Sequence, residues 1–144
     1  MSGETLAFWA IQVPGWLLVA YLIVAQCMAA FSYRLGVRMG TQEPADRITE
    51  VGVAFFWGFA LGDLVFYTPL LAAGLVGHWA GAGWGTVALA AALGVTAYWP
   101  LVCLATVARA RGVAGWQLAK ERDYWIVLPV ISGWGLLGLA LLAQ

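Results

Sequence analysis

Apolar residues fall into four long runs along the chain, at positions 6–33, 51–79, 85–108 and 124–142. An α-helix needs about 20 such residues to cross the hydrocarbon core of a bilayer, and each run is close to or above that length. The runs lack the strict alternation of membrane β-strands, and a helix satisfies its backbone hydrogen bonds within its own segment. The pattern predicts an all-α integral membrane protein, with residues 1–144 forming a single four-helix transmembrane bundle.

Composition supports this class, because 63% of the 144 residues are hydrophobic and only 10% are charged. That leaves too little polar surface to cover a soluble globule. The first run is longer than the apolar core of a signal peptide, so we expect it to remain as a true span. The sequence favours a plasma or inner membrane and a lipid environment. It has no basic face for nucleic acid and suggests no metal site or cofactor.

All seven Lys and Arg residues lie between the first and second runs or between the third and fourth. Such a bias predicts that segments 34–50 and 109–123 share one face of the membrane, the cytoplasmic one, and that both termini lie on the other side. Acidic residues share the two segments, which predicts a solvated surface facing the lipid headgroups. These acids are Glu43, Asp46, Glu50, Glu121 and Asp123.

Asp63 is the one charged residue placed deep inside an apolar run. A carboxylate at such a depth costs roughly 2.5 to 3.5 kcal/mol even on scales derived from membrane insertion. One interpretation is a protonated carboxyl that joins helices through hydrogen bonds. The other is a group that binds a proton, a cation or a ligand, and the sequence leaves both open.

Several polar or aromatic residues are predicted to lie at a depth similar to that of Asp63 and to form a shared site with it. Tyr67 follows Asp63 by four positions and so shares its helix face, which predicts a contact between the hydroxyl and the carboxyl. Deep tryptophans, among them Trp57, Trp99 and Trp134, predict either ordinary packing or a pocket for a flat hydrophobic ligand such as a sterol or quinone. The candidate ligand- or proton-binding residues are Asp63, Tyr67, Tyr98, Thr96, Trp99, Tyr21 and Ser132.

Prolines and small residues predict how the helices bend and pack. Each run contains one proline, and those at Pro69 and Pro100 lie well inside their helices, where kinks are expected. Ala54, Gly58 and Gly62 recur at four-residue spacing, which predicts close approach of another helix, either within the bundle or at a seam between copies. A similar set of glycines in the fourth run gives that helix a face of small residues as well. Two such faces also predict a homo-oligomer or a place in a larger membrane complex.

Part of the second run resembles the membrane-associated eicosanoid and glutathione metabolism proteins, through Asp63-Leu64, Pro69-Leu70-Leu71 and Gly74. That resemblance implies a small four-helix membrane bundle. The family carries arginines and a histidine just ahead of the acid and a glutamate two positions after it. Here those places hold uncharged residues, so glutathione binding is not expected; they are Phe55, Trp57, Gly58, Ala60 and Val65.

Three classes of function remain from the sequence. The first is a protein that binds or transports a small hydrophobic or protonatable ligand at a mid-membrane site centred on Asp63. The second is an accessory or structural subunit of a larger membrane complex. The third is a membrane enzyme, acting at the cytoplasmic face through Asp46, Glu50 or Glu121.

Overall fold

The computed structural model describes residues 3–144, with side chains from residue 5 onward, and within that range it contains helices and no strand. Four stretches are long and apolar enough to cross a membrane: Thr5–Phe31, Ala45–Trp79, Gly83–Ala110 and Glu121–Leu142. This confirms the predicted class of helical membrane bundle. The elements are α1 (Gly3–Phe31), α2 (Tyr33–Met39), α3 (Ala45–Gly62), a π-helical segment (Asp63–Tyr67), α4 (Thr68–Trp79), α5 (Gly83–Ala110) and α6 (Glu121–Leu142).

The helix ends differ from the apolar runs around the first connection. The first span ends at Phe31, and the short helix α2 follows after Ser32, whose φ of −152° is not helical. The second span begins at Ala45, directly after Pro44 and ahead of the apolar run. Pro44 predicts a helix start near Asp46 or Ile48, and the structure confirms it to within one to three residues. Helical hydrogen bonds extend through charged residues at a membrane surface as readily as through apolar ones, so the helix begins before the apolar run does.

A turn of π-helix divides the second span into α3 and α4. The amide of Thr68 donates to the carbonyl of Asp63, five residues earlier, instead of to the residue four earlier. Pro69 explains the wider turn, because its ring clashes with the carbonyl four residues before it and it has no N–H to donate. In contrast, α5 remains helical through Pro100.

Helix packing is tight in one half of the bundle and open in the other. In the tight half, α4 packs against α5 and α5 against α6, whereas α3 packs mainly against α1 and makes little or no contact with α5 or α6. Glycines allow the close approaches: a Cβ on Gly74 would lie 2.6 Å from the backbone nitrogen of Leu89, and one on Gly135 would lie 2.7 Å from that of Ala97. The core therefore lies among α1, α4 and α5, with Ile11, Leu22, Leu71, Leu75, Leu89 and Leu93 almost completely buried.

The small residues of α3 do not pack within the bundle. Ala54, Gly58 and Gly62 are all exposed, and a Cβ placed on either glycine would meet no atom within 4 Å. The interpretation of this stripe as packing inside the bundle is therefore wrong. In α6, by contrast, Gly135 and Gly138 face α5, and only Gly133 is open.

The segments 32–44 and 111–120 meet at one end of the bundle, here called the loop end. Two hydrogen bonds join the segments to each other: Ala119 N–H donates to Glu43 Oε2 at 2.8 Å, and Lys120 Nζ donates to the carbonyl of Gly40 at 2.9 Å. A third joins segment 111–120 to the start of α3, from Gln117 N–H to the carbonyl of Arg47 at 2.8 Å. Glu43 is only 4% exposed. Its predicted place on a solvated surface is wrong, because its carboxylate accepts a backbone hydrogen bond between the two segments.

Thr49, near the start of α3, has a backbone conformation that is rare for a side chain branched at Cβ. Its φ is 66° and its ψ is 167°, so the helix is interrupted there. Its methyl group lies close to Gly115, where an added Cβ would come within 2.5 Å of it. Such a conformation costs about 1 to 3 kcal/mol and persists only when neighbouring contacts enforce it.

Candidate functional site

A cavity of about 620 Å³ lies between α1, α3, α5 and α6 in the half of the bundle nearer the loop end. Its volume falls within the range of roughly 300 to 1,000 Å³ that is usual for small-molecule sites. Along the second span its lining runs from Phe55 to Asp63, so Asp63 is the lining residue of that span farthest from the loop end. Segments 40–44 and 119–120 line the end of the cavity nearest the loops.

Asp63 is bonded to a neutral side chain from another helix. Nε2 of Gln26, on α1, donates to Oδ2 of Asp63 at 2.6 Å, which is a short distance for an amide donor. Both residues line the cavity. Sequence reasoning missed Gln26, although an amide inside a long apolar run was an available signal, because such a group needs a partner when it is buried.

Aromatic side chains form much of the cavity wall. Phe55 and Phe59, one helical turn apart on α3, have ring centroids 4.8 Å apart. Phe56 stacks on Trp116 of the second connecting segment, with centroids 6.3 Å apart and planes 14° from parallel. Tyr21, Trp99 and Tyr124 complete the aromatic lining. The wall is thus largely apolar, while its polar groups lie at the two ends.

The loop end of the cavity is held by hydrogen bonds around Glu43. The hydroxyl of Tyr33 donates to the backbone carbonyl of Glu43 at 2.8 Å. Burial, and secondarily the negative charge of Glu43, raise the pKa of Tyr33 to about 12, so its hydroxyl stays protonated at neutral pH. Tyr33, Glu43 and Lys120 therefore fix the position of the segments that cover the cavity.

Three of the predicted site residues, which do not line the cavity, form buried hydrogen bonds between helices. Tyr67 Oη and Thr96 Oγ1 are 2.6 Å apart, and Thr96 also donates to the carbonyl of Ala92 at 2.8 Å. Ser132 of α6 donates to the carbonyl of Ala97 on α5 at 2.7 Å. The predicted contact between Tyr67 and the carboxyl of Asp63 is wrong, because Tyr67 is buried against α5 and its hydroxyl bonds to Thr96.

The remaining predicted site residues divide between the cavity and the outer surface. Tyr21 and Trp99 line the cavity, and Nε1 of Trp99 is buried without a hydrogen-bond partner among the described residues. Tyr98 is 66% exposed on the outside of the bundle and does not line the cavity. Trp57, which was considered for a deep pocket, is also on the outer surface.

A second buried polar cluster, which sequence reasoning also missed, joins α1 to α4 at the opposite end of the bundle. Gln12 is completely buried, and its Nε2 donates to the carbonyl of Leu75 at 3.1 Å and lies 3.1 Å from Nδ1 of His78. Trp16 donates to Oε1 of the same glutamine at 3.0 Å. Both the amide nitrogen and the amide oxygen of Gln12 already have partners within the protein. The cluster therefore joins α1 to α4 and is not a candidate ligand site.

The three acidic residues predicted for an enzyme acting at the membrane surface do not line the cavity. Asp46, Glu50 and Glu121 are not part of its lining, and Glu121 forms an ion pair with Arg111 on the surface. A second, shallow depression of about 740 Å³ lies along the outer face of α5, next to Arg109, and carries no acidic residue. The geometry therefore favours the cavity beside Asp63 as the candidate site.

Comparisons with known proteins gave no match to any protein-family model, curated protein or solved structure.

Proposed function

We propose that this chain is a membrane protein that binds one small amphipathic molecule in the cavity between α1, α3, α5 and α6. The observation that carries the proposal is the cavity of about 620 Å³ with the Asp63–Gln26 pair at its deep end. Ligand sites of this size are typically apolar with a few polar groups that fix the orientation of the ligand. The aromatic wall accommodates the apolar part of the ligand, and Asp63 with Gln26 binds its polar group.

The ligand reaches the cavity from the bilayer. Because α3 makes little or no contact with α5 or α6, the side of the cavity between α3 and α6 lacks tight helix packing. The loop end is held by the bonds of Glu43 and Lys120 to the opposing segment. We expect the second span and α5 to bend at Pro69 and Pro100, and this bending to move the cavity walls as the ligand enters or is transported across the membrane.

Cys103 provides a reporter for this proposal, because it lines the cavity and the chain has only two cysteines. In a Cys27→Ala variant reconstituted in lipid nanodiscs, Cys103 is the single thiol. We expect its rate of modification by N-ethylmaleimide to fall, saturably, when naphthalene-based amphiphiles are added. The probes are 1-naphthalenemethanol, 1-naphthylmethylamine and 1-naphthoate, which share one aromatic body and differ in their polar group.

A matched pair of variants separates binding in the cavity from general partitioning into lipid. Val127 lines the cavity, whereas Val130 is 67% exposed on the same helix and does not. Val127→Trp fills part of the space and should abolish the protection of Cys103, while Val130→Trp should retain it. If none of the three probes protects Cys103 in the Cys27→Ala protein, the proposed ligand site is wrong.

The orientation of the bundle is a separate part of the proposal. The loop end carries all seven basic residues, which favours the cytoplasmic side for it and the outer side for both termini. A Thr41→Cys variant lacking the native cysteines tests this in whole cells. A membrane-impermeant maleimide should label it only after the cells are permeabilised, and labelling of intact cells would reverse the orientation.

The open stripe on α3 favours a second candidate function, that of a subunit in a larger membrane assembly. Ala54, Gly58 and Gly62 leave a thin surface on which another helix is able to approach closely. Purification in mild detergent should then yield an assembly larger than one chain, which Gly58→Leu disrupts and Gly133→Leu does not. A chain that elutes alone, with or without Gly58→Leu, would remove this candidate.

A further inference from the structure

We infer that the ligand of the cavity carries a cationic ammonium group, which binds beside the hydrogen-bonded pair of Asp63 and Gln26. The inference deepens the proposed function and rests on it, since it specifies the polar group of the molecule that the cavity holds. It follows from three features of the cavity: the balance of its charges, its unused hydrogen-bond acceptors and its aromatic wall.

The charges at the loop end of the cavity lie apart from Asp63, and two of them already have partners. Glu43 accepts the N–H of Ala119, and Lys120 donates to the carbonyl of Gly40. Arg38 and Asp123 lie at the same end. The only ion pair within residues 5–144 joins Arg111 to Glu121, outside the cavity. Asp63 therefore has no counter-ion from the part of the chain that the structure describes.

The hydrogen bond between Gln26 and Asp63 leaves acceptors unused at the deep end. It engages Oδ2 of Asp63 and Nε2 of Gln26, whereas Oδ1 of Asp63 and Oε1 of Gln26 have no partner among the described residues. Two unused acceptors on side chains that are bonded to each other, one of them on a carboxyl group, complement a group with several N–H donors. An ammonium supplies up to three such donors and a positive charge.

The aromatic wall favours the same kind of group. Tyr21, Phe59 and Trp99 line the cavity together with Asp63. The negative face of an aromatic ring attracts a cation, with an effect that increases when water is excluded. A carboxylate of the ligand would be repelled by Asp63, and a hydroxyl would supply one donor and no positive charge to pair with the carboxyl. We therefore expect the affinity of the cavity to decrease from an ammonium ligand to an alcohol and then to a carboxylate.

The naphthalene series tests this order directly in the Cys27→Ala protein. We expect 1-naphthylmethylamine to protect Cys103 at a concentration about tenfold lower than 1-naphthalenemethanol does, because the amine brings a positive charge and more donors to the carboxyl of Asp63. We expect 1-naphthoate to give no protection. Equal protection by the amine and the alcohol would overturn the ammonium site and leave the proposed ligand site intact, whereas no protection by any probe would overturn the ligand site itself.

Two carboxyl variants locate the effect within the cavity. Asp63→Asn preserves the shape of the side chain and should reduce the preference for the amine over the alcohol to within about twofold, because it removes the negative charge that pairs with the ammonium. Asp123→Asn, which changes the carboxyl at the loop end, should keep the full preference. If Asp123→Asn removes the preference and Asp63→Asn retains it, the ammonium binds at the loop end and the assignment to Asp63 is wrong. Circular dichroism and elution volume of each variant verify that it is folded.

Discussion

Gln26 of α1 donates a hydrogen bond of 2.6 Å to Asp63, at the junction of α3 and the π-helical segment. This contact links the first span to the second through the one charged side chain that the chain places deep inside an apolar run. A charged acceptor with a neutral donor forms a stronger bond than two neutral groups do. The pair therefore has a structural role in addition to the ligand-binding role proposed above.

The structural contribution of the pair is measurable by a double-mutant cycle of Gln26→Leu, Asp63→Leu and both together. We expect a coupling of about 1 to 2 kcal/mol in the free energy of unfolding, the range for strong polar contacts between membrane helices. Unfolding by sodium dodecyl sulfate in lipid–detergent micelles provides the measurement. Changes that add within about 0.5 kcal/mol would show that the two side chains do not stabilise each other.

Glu43→Ala should loosen the loop end of the bundle. The substitution removes the acceptor of the Ala119 N–H and with it a bond between segments 32–44 and 111–120, and such a hydrogen bond contributes about 0.5 to 1.5 kcal/mol. We expect trypsin to cleave after Lys120 several times faster, as followed by mass spectrometry of the fragments. Glu50→Ala is the control, because Glu50 is an exposed glutamate only seven residues later in the chain, near the start of α3. Similar cleavage rates in the two variants would contradict the assigned role of Glu43.

Two glycines of α6 should respond differently to the same change. Gly135→Ala places a methyl group 2.7 Å from the backbone nitrogen of Ala97, so α5 and α6 must move apart. We expect it to lower the free energy of unfolding by about 1 to 3 kcal/mol, as overpacked cores do. Gly133→Ala meets no atom within 4 Å and should change it by less than about 0.5 kcal/mol. The same detergent titration measures both, and equal effects would place the α5–α6 contact elsewhere.

Thr49→Gly should stabilise the protein, which is unusual for a substitution to glycine inside a helical region. The positive φ of Thr49 strains a side chain branched at Cβ, whereas glycine adopts it freely. Thr49→Ala is the matched control, since it retains the strain while removing the hydroxyl and a methyl group. We expect the glycine variant to exceed the alanine variant by about 1 kcal/mol in the free energy of unfolding. A less stable glycine variant would mean that the positive φ is not a source of strain.

Local sequence was sufficient to predict the number of spans and to identify Asp63 as an unusual residue, which lies at the deep end of the cavity. Hydropathy has this power because a membrane span must be apolar over its whole length and must satisfy its backbone internally. Asp63 was identifiable for the same reason, since a charge inside such a run is costly wherever the helix packs. The helix start near Ala45 was indicated by Pro44 just ahead of it, although a hydropathy profile alone places the start later in the chain.

The partners of each polar group were not predictable in the same way. Tyr67 and Asp63 are separated by four positions, yet the hydroxyl bonds to Thr96 on α5 and the carboxyl bonds to Gln26 on α1. Helical spacing indicates which residues share a helix face. Which other helix packs against that face depends on the tertiary arrangement of the spans. The same limit applies to Gly58 and Gly62, whose spacing suits helix packing although both lie on the outside of the bundle.

The sequence by itself determined that this protein is a bundle of four apolar helices with one costly carboxyl in the second, because both facts follow from the transfer free energies of individual segments. Only the tertiary structure decided that α3 stands away from α5 and α6, that a cavity results, and that Gln26 meets Asp63 beside it. These features depend on contacts between residues far apart in the chain. Glycines allow close helix packing in one half of the bundle, and the other half lacks such packing. This difference depends on pairs of helix surfaces, so the sequence of one helix alone does not specify it.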